Sequence, residues 1–580
     1  MRIKQLELSF TLIALFFILY SIFFIHPVLA IFDPLSQPNN RFGIHIISPT
    51  TDEIDSASQL VNSSGGDWGY ITVVIQDKDQ DLSKWQQFFD HLRERHLIPL
   101  VRIATHPSGN FWVKPEGNAP ENWANFLNKL NWPIKNRYVI VYNEPNHATE
   151  WGGSVDAKEY AQILNKTIDA LKAKNPDFFI LNAGLDASAP QKLPAYQEEI
   201  SFLQQMNQEV PNLFEKIDGW NSHSYPNPGF IGIPTDQGRG TVRTWAWETQ
   251  QLKRLGVKKD LPIFITETGW KHAEGIDTDN TLPTAQEVSK YYKQAFETVW
   301  SDKKIVAITP FLLTYPQPPF DHFSFKRAIP SNNPNVLGAE FYPQYQILNQ
   351  LPKESGSPIQ ENKAELVKGG IYHNLVEEQT YSIPLTFKNT GQSIWNEYGQ
   401  VKLFATGGSQ NLDITISELP KDIKIKPGQE QTFILTLKAP SSGDYQVLVN
   451  LFKDETIFDS PINKFNTTVQ SPIKLQIKAD LAWKKDHAGE YLLTILSNLG
   501  KTAVKVLLNQ TGESPVIKQE NLLPEYEYTL TFQRPFYQPK TIHQKLHTGV
   551  NTLDFGTLQP NIQSAIIRPN DLWRLLPFSN

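Results

Sequence analysis

Two short stretches carry carboxylates in settings where side chains do chemistry. Val141-Tyr142-Asn143-Glu144-Pro145-Asn146-His147 places an acid directly behind an amide at the end of an apolar run, and Ile265-Thr266-Glu267-Thr268-Gly269-Trp270 places a second acid at the end of another. Two carboxylates facing one pocket suit cleavage of a glycosidic bond: one protonates the departing oxygen while the other attacks or stabilises the sugar cation. His223-Ser224-Tyr225, at the end of a run lying between them, adds an imidazole and a phenol, and Arg102 adds a cation. Asn-Glu-Pro alone recurs by chance. The pair of glutamates with His223 and Tyr225 between them is what points to a site.

Such groups need elements that bring them to one place. From Arg41 to about Leu351, short Val- and Ile-rich runs alternate with amphipathic segments, the pattern of repeated βα units around a parallel sheet. Eight strands are expected, at Phe42–Ile46, Tyr70–Ile75, Ile98–Ala104, Tyr138–Asn143, Phe178–Ala183, Gly219–Ser224, Ile263–Thr266 and Val306–Leu313. Eight is the number that closes a barrel, whose catalytic groups sit at the carboxyl-terminal ends of its strands. Helical spacing at Leu82–His96 and Ala157–Lys174 predicts helices that cover the outside.

The expected organisation is an α/β (β/α)8 TIM barrel over 31–351, a linker over 352–365, and two all-β sandwiches over 366–470 and 471–580. In the linker Lys, Glu, Ser, Gly and Pro mix without periodicity. Beyond it the helical period disappears, and runs such as Tyr381–Phe387, Gln431–Leu437, Tyr445–Phe452, Glu490–Leu496, Val504–Asn509 and Tyr526–Phe532 alternate apolar with polar residues. Ser471-Pro472 separates the two modules. Asn389-Thr390-Gly391 and Asn498-Leu499-Gly500 each end a strand, too short a likeness to establish duplication.

Composition removes other chemistries. The 580 residues contain no cysteine, which excludes disulfides, thiolate nucleophiles and cysteine-held metals. Lys+Arg 54 against Asp+Glu 60, spread without long runs of one sign, leaves a net charge of −6 and no footprint for nucleic acid. His147, three residues after Glu144, does not read as a metal partner, because Pro145 argues for a loop and no further ligand set completes it. No Gly-rich phosphate loop follows the first strand, and no Gly-x-Ser-x-Gly elbow is present; no cofactor and no metal are expected. At the N-terminus, Arg2 and Lys4 precede an apolar run over 8–25, with Pro27, Val28 and Ala30 behind it. This reads as a signal peptide or a retained membrane anchor within 1–30, with the rest of the chain outside the cytoplasm.

The Asn-Glu-Pro of strand four together with Thr266-Glu267-Thr268-Gly269-Trp270 of strand seven resembles the large clan of retaining glycoside hydrolases built on (β/α)8 barrels, which includes cellulases and β-glycosidases. The resemblance covers the barrel region only. It implies that Glu144 is acid/base, that Glu267 is nucleophile, and that Asn143 binds a sugar 2-hydroxyl. It also implies that His223 and Tyr225 are the clan's imidazole and aromatic pair, with the tyrosine keeping the nucleophile ionised. Arg102 departs from the clan's usual arginine, which lies on a neighbouring strand. Where the clan has Trp after strand eight, the aromatics here are Phe311 and Tyr315, so Trp270 and Tyr315 are taken as candidate sugar contacts, with Trp112, Trp151, Trp245 and Trp247 as further ones. Phe387-Lys388-Asn389-Thr390-Gly391 through Trp395, with Lys426-Pro427-Gly428, resembles an immunoglobulin-like module with an Asn-x-Gly and Trp signature, found in autophagy receptors and bacterial surface proteins. There Trp395 is expected in the core. The final Leu572-Trp573-Arg574-Leu575-Leu576-Pro577 reads as an amphipathic docking segment. Three function classes follow: an exported glycosidase, a barrel that binds glycan without cleaving it, and a surface scaffold.

Overall fold

In the computed structural model, residues 31–329 and 338–561 are described, apart from 409, 411, 455, 498–499 and 520–521. The leader or anchor reading, the first two residues of Asn498-Leu499-Gly500 and the Leu572–Pro577 segment lie outside them. Among the described residues no helix is long and apolar enough to cross a membrane. The chain divides into two units, Met1–Glu361 and Asn362–Asn580.

The first unit is built from eight parallel strands, each followed by a helix: β1 (Gly43–Ile46), α1 (Thr51–Val61), β2 (Gly69–Gln76), α2 (Leu82–Glu94), β3 (Leu97–Ala104), α3 (Ala119–Lys129), β4 (Arg137–Val141), α4 (Ala157–Lys174), β5 (Phe178–Leu181), α5 (Glu199–Glu209), β6 (Trp220–His223), α6 (Thr244–Arg254), β7 (Ile263–Glu267), α7 (Ala285–Glu297), β8 (Ile305–Ile308) and α8 (Pro343–Gln350). Strands β1 to β5 pair in order, as do β6 to β8. Parallel bridges at Leu181↔Gly219 and Phe42↔Ile308 join the two sheets into a closed barrel. Helix starts follow the local chemistry: Asp81, Asp156 and Glu198 each accept two backbone N–H groups of a first turn, and Thr284 and Glu287 form a reciprocal capping box.

The barrel interior is filled by side chains. Tyr70, Tyr138, Phe179 and Phe264 meet there with Leu100, Ile140 and Val306, and the Tyr138 and Phe264 rings lie 5.4 Å apart. A second apolar layer lies between the strands and the helices, holding Ile71, Val73, Leu92, Val101, Leu164 and Val288 among others.

Two expectations need correction. The eighth strand ends at Ile308, not at Leu313. Pro310 has no N–H to continue the ladder, and beyond it Phe311 donates to Thr268 O while Leu313 donates back to His45 O, so the segment crosses the barrel mouth. The stretch 352–365 is not a free linker. Gly356 donates to Asp67 O, Lys135 donates to Ile359 O, and the Gln360 amide donates to Pro133 O, so 352–361 pairs with the barrel floor. The first strand of the second unit already starts at Ala364.

The second unit contains two modules, each built from two sheets around one core. In the first, Ala364–Lys368, Thr380–Asn389, Glu430–Lys438 and Asp413–Ile416 form one sheet, and Asn374–Val376, Asn463–Gln470, Gly443–Lys453 and Val401–Thr406 the main part of the other. Alternation does the sorting: Ile383, Leu385 and Phe387 point to the core along one strand, as Val447, Val449 and Leu451 do along another. Trp395 is fully buried there against Phe458. The second module begins at Ile473, and its core gathers Leu475, Ile477, Leu493, Leu530, Phe532 and Phe555.

Candidate active site

At the carboxyl-terminal mouth of the barrel lies a cleft of about 820 Å³. Glu267 is the last residue of β7 and is 7% exposed. Its Oε1 accepts from the Arg102 guanidinium on β3, and its Oε2 accepts from the Tyr225 hydroxyl at 3.1 Å. His223 Nδ1, at the end of β6, lies 3.8 Å from the same Oε2, and His45 Nε2, on β1, lies 3.9 Å from Oε1. Burial alone would push the Glu267 carboxyl up. The charges of His223 and Arg102 outweigh it and hold the group down at about 2. Burial and the neighbouring Glu267 charge push Tyr225 well above its ordinary value, so it stays a hydrogen-bond donor.

Glu144 follows β4 through a backbone that leaves the strand sharply. Tyr142 (φ 69°) and Glu144 (φ 30°) both adopt left-handed conformations that non-glycine residues rarely take, and such strain concentrates at functional sites. The Glu144 amide donates to Gly184 O at 3.1 Å, and its Oε1 accepts from His223 Nδ1 at 2.9 Å. Gly184 is required by close approach, since a Cβ there would stand 2.0 Å from the His223 ring. Burial lowers the His223 basicity, but Glu267 and Glu144 together outweigh it and leave the imidazole more basic than usual. His45 is the converse case. Burial first, then Arg102, lower it to about 3, so it stays neutral.

Asn143 joins the two halves: its Oδ1 accepts from Arg102 at 2.6 Å, and its Nδ2 donates to Glu150 at 3.2 Å. Glu150, on the turn after β4, is a third cleft carboxylate. Burial and the Glu144 charge push it up to about 7. On the same wall His147 Nε2 pairs with Asp186 at 2.8 Å, and Trp112 lines the cleft from the Phe111–Trp112 ribbon. The opposite wall is aromatic. Tyr225, Phe230, Phe311, Tyr315, Phe320 and Phe323 pack edge to face around it, with the Tyr225 and Phe230 centroids 5.0 Å apart.

The mouth therefore brings together Arg102, Asn143, Glu144, His223, Tyr225 and Glu267, and Tyr315 lines the same cleft. Trp270 does not reach it, which corrects the expectation of a sugar contact. Gly269 (φ 138°) turns the chain behind the mouth, and the Trp270 indole, 1% exposed, packs on Tyr292 and Trp300 and donates to Gly232 O at 2.6 Å. Trp151 and Trp245 are buried and Trp247 lies under Arg239, all away from the cleft. Sequence reasoning missed His45, Glu150 and Asp186, and read His147 only as a rejected metal ligand. Among the described residues, Glu144, His223 and Glu267 offer donor atoms within 4.8 Å of one another, the spacing of a metal site. They do not suit a cation, because the Arg102 guanidinium already pairs with Glu267 and the imidazole of His223 is held more basic than usual.

No family model and no curated protein matches the chain. Among solved structures it is similar to a family 39 glycoside hydrolase from Bacteroides cellulosilyticus WH2, at 15% identity over 70% of this chain and 82% of that one, with a TM-score of 0.37. It is similar to a glucosidase from Croceicoccus marinus at 10% identity over 83% and 96%, TM-score 0.37. It is also similar to a family 51 α-L-arabinofuranosidase from Bifidobacterium longum at 11% identity over 73% and 97%, TM-score 0.34. These neighbours are glycoside hydrolases at low identity.

Proposed function

We propose that the chain is a retaining glycoside hydrolase, acting on β-linked oligo- or polysaccharides, with Glu267 as nucleophile and Glu144 as acid/base. Ionised Glu267 attacks the anomeric carbon while Glu144 gives its proton to the departing oxygen, leaving a covalent glycosyl-enzyme. Glu144 then takes a proton from water, whose oxygen attacks the same carbon and releases Glu267. Arg102, Tyr225 and His223 keep the nucleophile ionised and aimed, and Asn143, on the same cleft, would bind the sugar 2-hydroxyl.

The observation that carries this reading is the spacing of the two carboxylates. One oxygen of Glu144 and one of Glu267 lie within 4.8 Å of each other, a close approach that favours the ~5–5.5 Å carboxyl separation of a double displacement over the ~6.5–9.5 Å of an inverting enzyme. The basic Arg2 and Lys4 ahead of the apolar run 8–25 support export, with that run removed or kept as the membrane anchor. The Asn389–Trp395 signature and the buried Trp395 support an immunoglobulin-like module following the barrel in the chain.

The test is release of aryl leaving groups from a panel of 4-nitrophenyl β-glycosides, and of reducing ends from β-glucans, by the full chain and by Glu267→Gln. Proton NMR of the first-formed anomer reads the stereochemistry. Retention that is lost with Glu267→Gln supports the assignment, and inversion would falsify it.

A further inference from the structure

The charged side chains of the cleft pair off in order. Glu267 meets Arg102, Glu144 meets His223, Asp186 meets His147, and Asp79 meets Lys84. Glu150, pushed up to about 7 and held by the neutral Asn143 amide, keeps its proton part of the time. Among the described residues lining the cleft, one permanent charge is left without such a partner, the ammonium of Lys271.

Lys271 stands four residues beyond the nucleophile, on the loop leaving β7, and lines the cleft. Its backbone is fixed, since its N–H donates to Phe230 O at 3.1 Å. Its Nζ lies 5.2 Å from the centroid of Phe230 and 5.6 Å from that of Phe323, so two aromatic faces hold the ammonium on the aromatic wall. Among the described residues no carboxylate forms an ion pair with it and no acceptor takes a hydrogen bond from Nζ. The exposed Asp279 senses its charge only weakly. Phe230 in turn packs on Tyr225, which donates to Glu267. The cation therefore stands one ring removed from the nucleophile's own hydrogen-bond donor.

We propose that Lys271 is an anion-binding residue of the substrate cleft and that the substrate is an acidic glycan, whose negatively charged oxygen group, a uronate carboxylate or an ester sulfate, pairs with the Lys271 ammonium beside the reacting sugar. The inference rests on the glycosidase reading and names its substrate class. The Lys271 ammonium lines the cleft without a carboxylate partner, and an anionic substituent of the substrate supplies that partner. Lys271 would select between acidic and neutral sugars of the same ring shape.

The experiment compares wild type, Lys271→Gln and Lys271→Arg as full chains, each shown folded by thermal unfolding. Rates are measured on 4-nitrophenyl β-D-glucuronide, 4-nitrophenyl β-D-glucoside and its 6-sulfate. Calorimetry measures binding of a uronate oligosaccharide, a sulfated oligosaccharide and a neutral oligosaccharide of the same length. The expected result is tighter binding of one acidic ligand than of the neutral one, with the acidic-to-neutral preference falling about 10- to 100-fold in Lys271→Gln, the worth of one charge-assisted hydrogen bond, and recovering in Lys271→Arg. Which acidic ligand responds separates carboxylate from sulfate. Equal binding of acidic and neutral ligands, or a preference that Lys271→Gln leaves intact, overturns the inference whether or not the wild type cleaves. Absence of hydrolysis with the acidic preference intact overturns the glycosidase reading alone.

Discussion

The Tyr225 hydroxyl donates to Oε2 of Glu267 across 3.1 Å, although the two residues stand 42 positions apart on different strand ends. With Arg102 on the other oxygen, the nucleophile has both oxygens held before any substrate arrives. Such preorganisation means that no reorientation is needed at the moment of reaction.

Replacing Glu267 by Gln removes the attacking oxygen anion and is expected to lower kcat by several orders of magnitude. Glu144→Ala should slow natural glycosides far more than aryl glycosides with good leaving groups, which need little protonation, and added azide should restore turnover as a glycosyl azide. Steady-state rates on both leaving-group classes check this. Equal losses on both would remove Glu144 from the acid role.

Arg102→Met leaves a buried carboxylate without its guanidinium and is expected to cost about 3–5 kcal/mol in stability and to raise the Glu267 pKa. The folded value near 2 lies below the ordinary 4.5, so the ionised group favours the fold above pH 4.5, and this contribution is lost as pH falls toward 2. The acidic limb of kcat/KM should therefore move to higher pH in Arg102→Met and move less in Tyr225→Phe. A limb that stays put in both variants would assign it to another group.

Glu150 carries the opposite sign. Its folded value near 7 lies above the ordinary 4.5, so the folded state binds the proton more tightly, and stability falls as pH rises from about 4.5 to 7, then levels. Glu150→Gln, which is never ionised, should flatten that part of the pH–Tm curve and raise Tm at pH 8. An unchanged curve would refute the buried-carboxyl account of this residue.

Two fully buried glutamates outside the cleft, Glu199 on α5 and Glu248 on α6, lie against each other, and burial pushes both carboxyls up. Glu248 accepts from Trp220 Nε1 at 3.1 Å, whereas neither oxygen of Glu199 has a hydrogen-bond donor from another residue. Glu199→Gln is therefore expected to be tolerated and to raise Tm at alkaline pH. Glu248→Ala should cost about 1–3 kcal/mol by stranding the indole N–H. Thermal unfolding across pH distinguishes the two.

Both Trp270 and Trp112 are candidate sugar contacts by sequence, and of the two Trp112 lines the cleft while Trp270 is buried. Trp270→Ala empties a buried pocket beside Tyr292 and should cost about 3–5 kcal/mol of stability. Trp112→Ala, in the cleft wall, should leave Tm near wild type and raise KM by up to about tenfold. Melting curves and KM values on one substrate suffice.

The strands were legible because Val- and Ile-rich runs buried on both faces stand out from the amphipathic helices between them. Glu144, His223 and Glu267 were legible because each sits where such a run stops, and in a barrel that end is the mouth. Glu150, Asp186 and Lys271 sit on loops, where no periodicity tells which way a side chain faces. Trp270 was misread because the φ of Gly269, invisible in a sequence, decides whether the next residue looks into the cleft or behind it. His45 carried no signal of its own: a lone histidine on an apolar strand is ordinary, and only closure of β1 against β8 brings it beside Glu267.

The barrel floor is closed by chain from both ends of the unit. Phe32 N–H and carbonyl both bond the Asn136 amide, and Pro358 and Ile359 come in from the other side over Trp68, Ile98 and Ile134. A domain excised at Leu351 would lose half of that clasp and open apolar side chains to water. The cutting point for an autonomous catalytic fragment is after Glu361, and a protease probing the whole molecule should find 352–361 as resistant as the strands it covers.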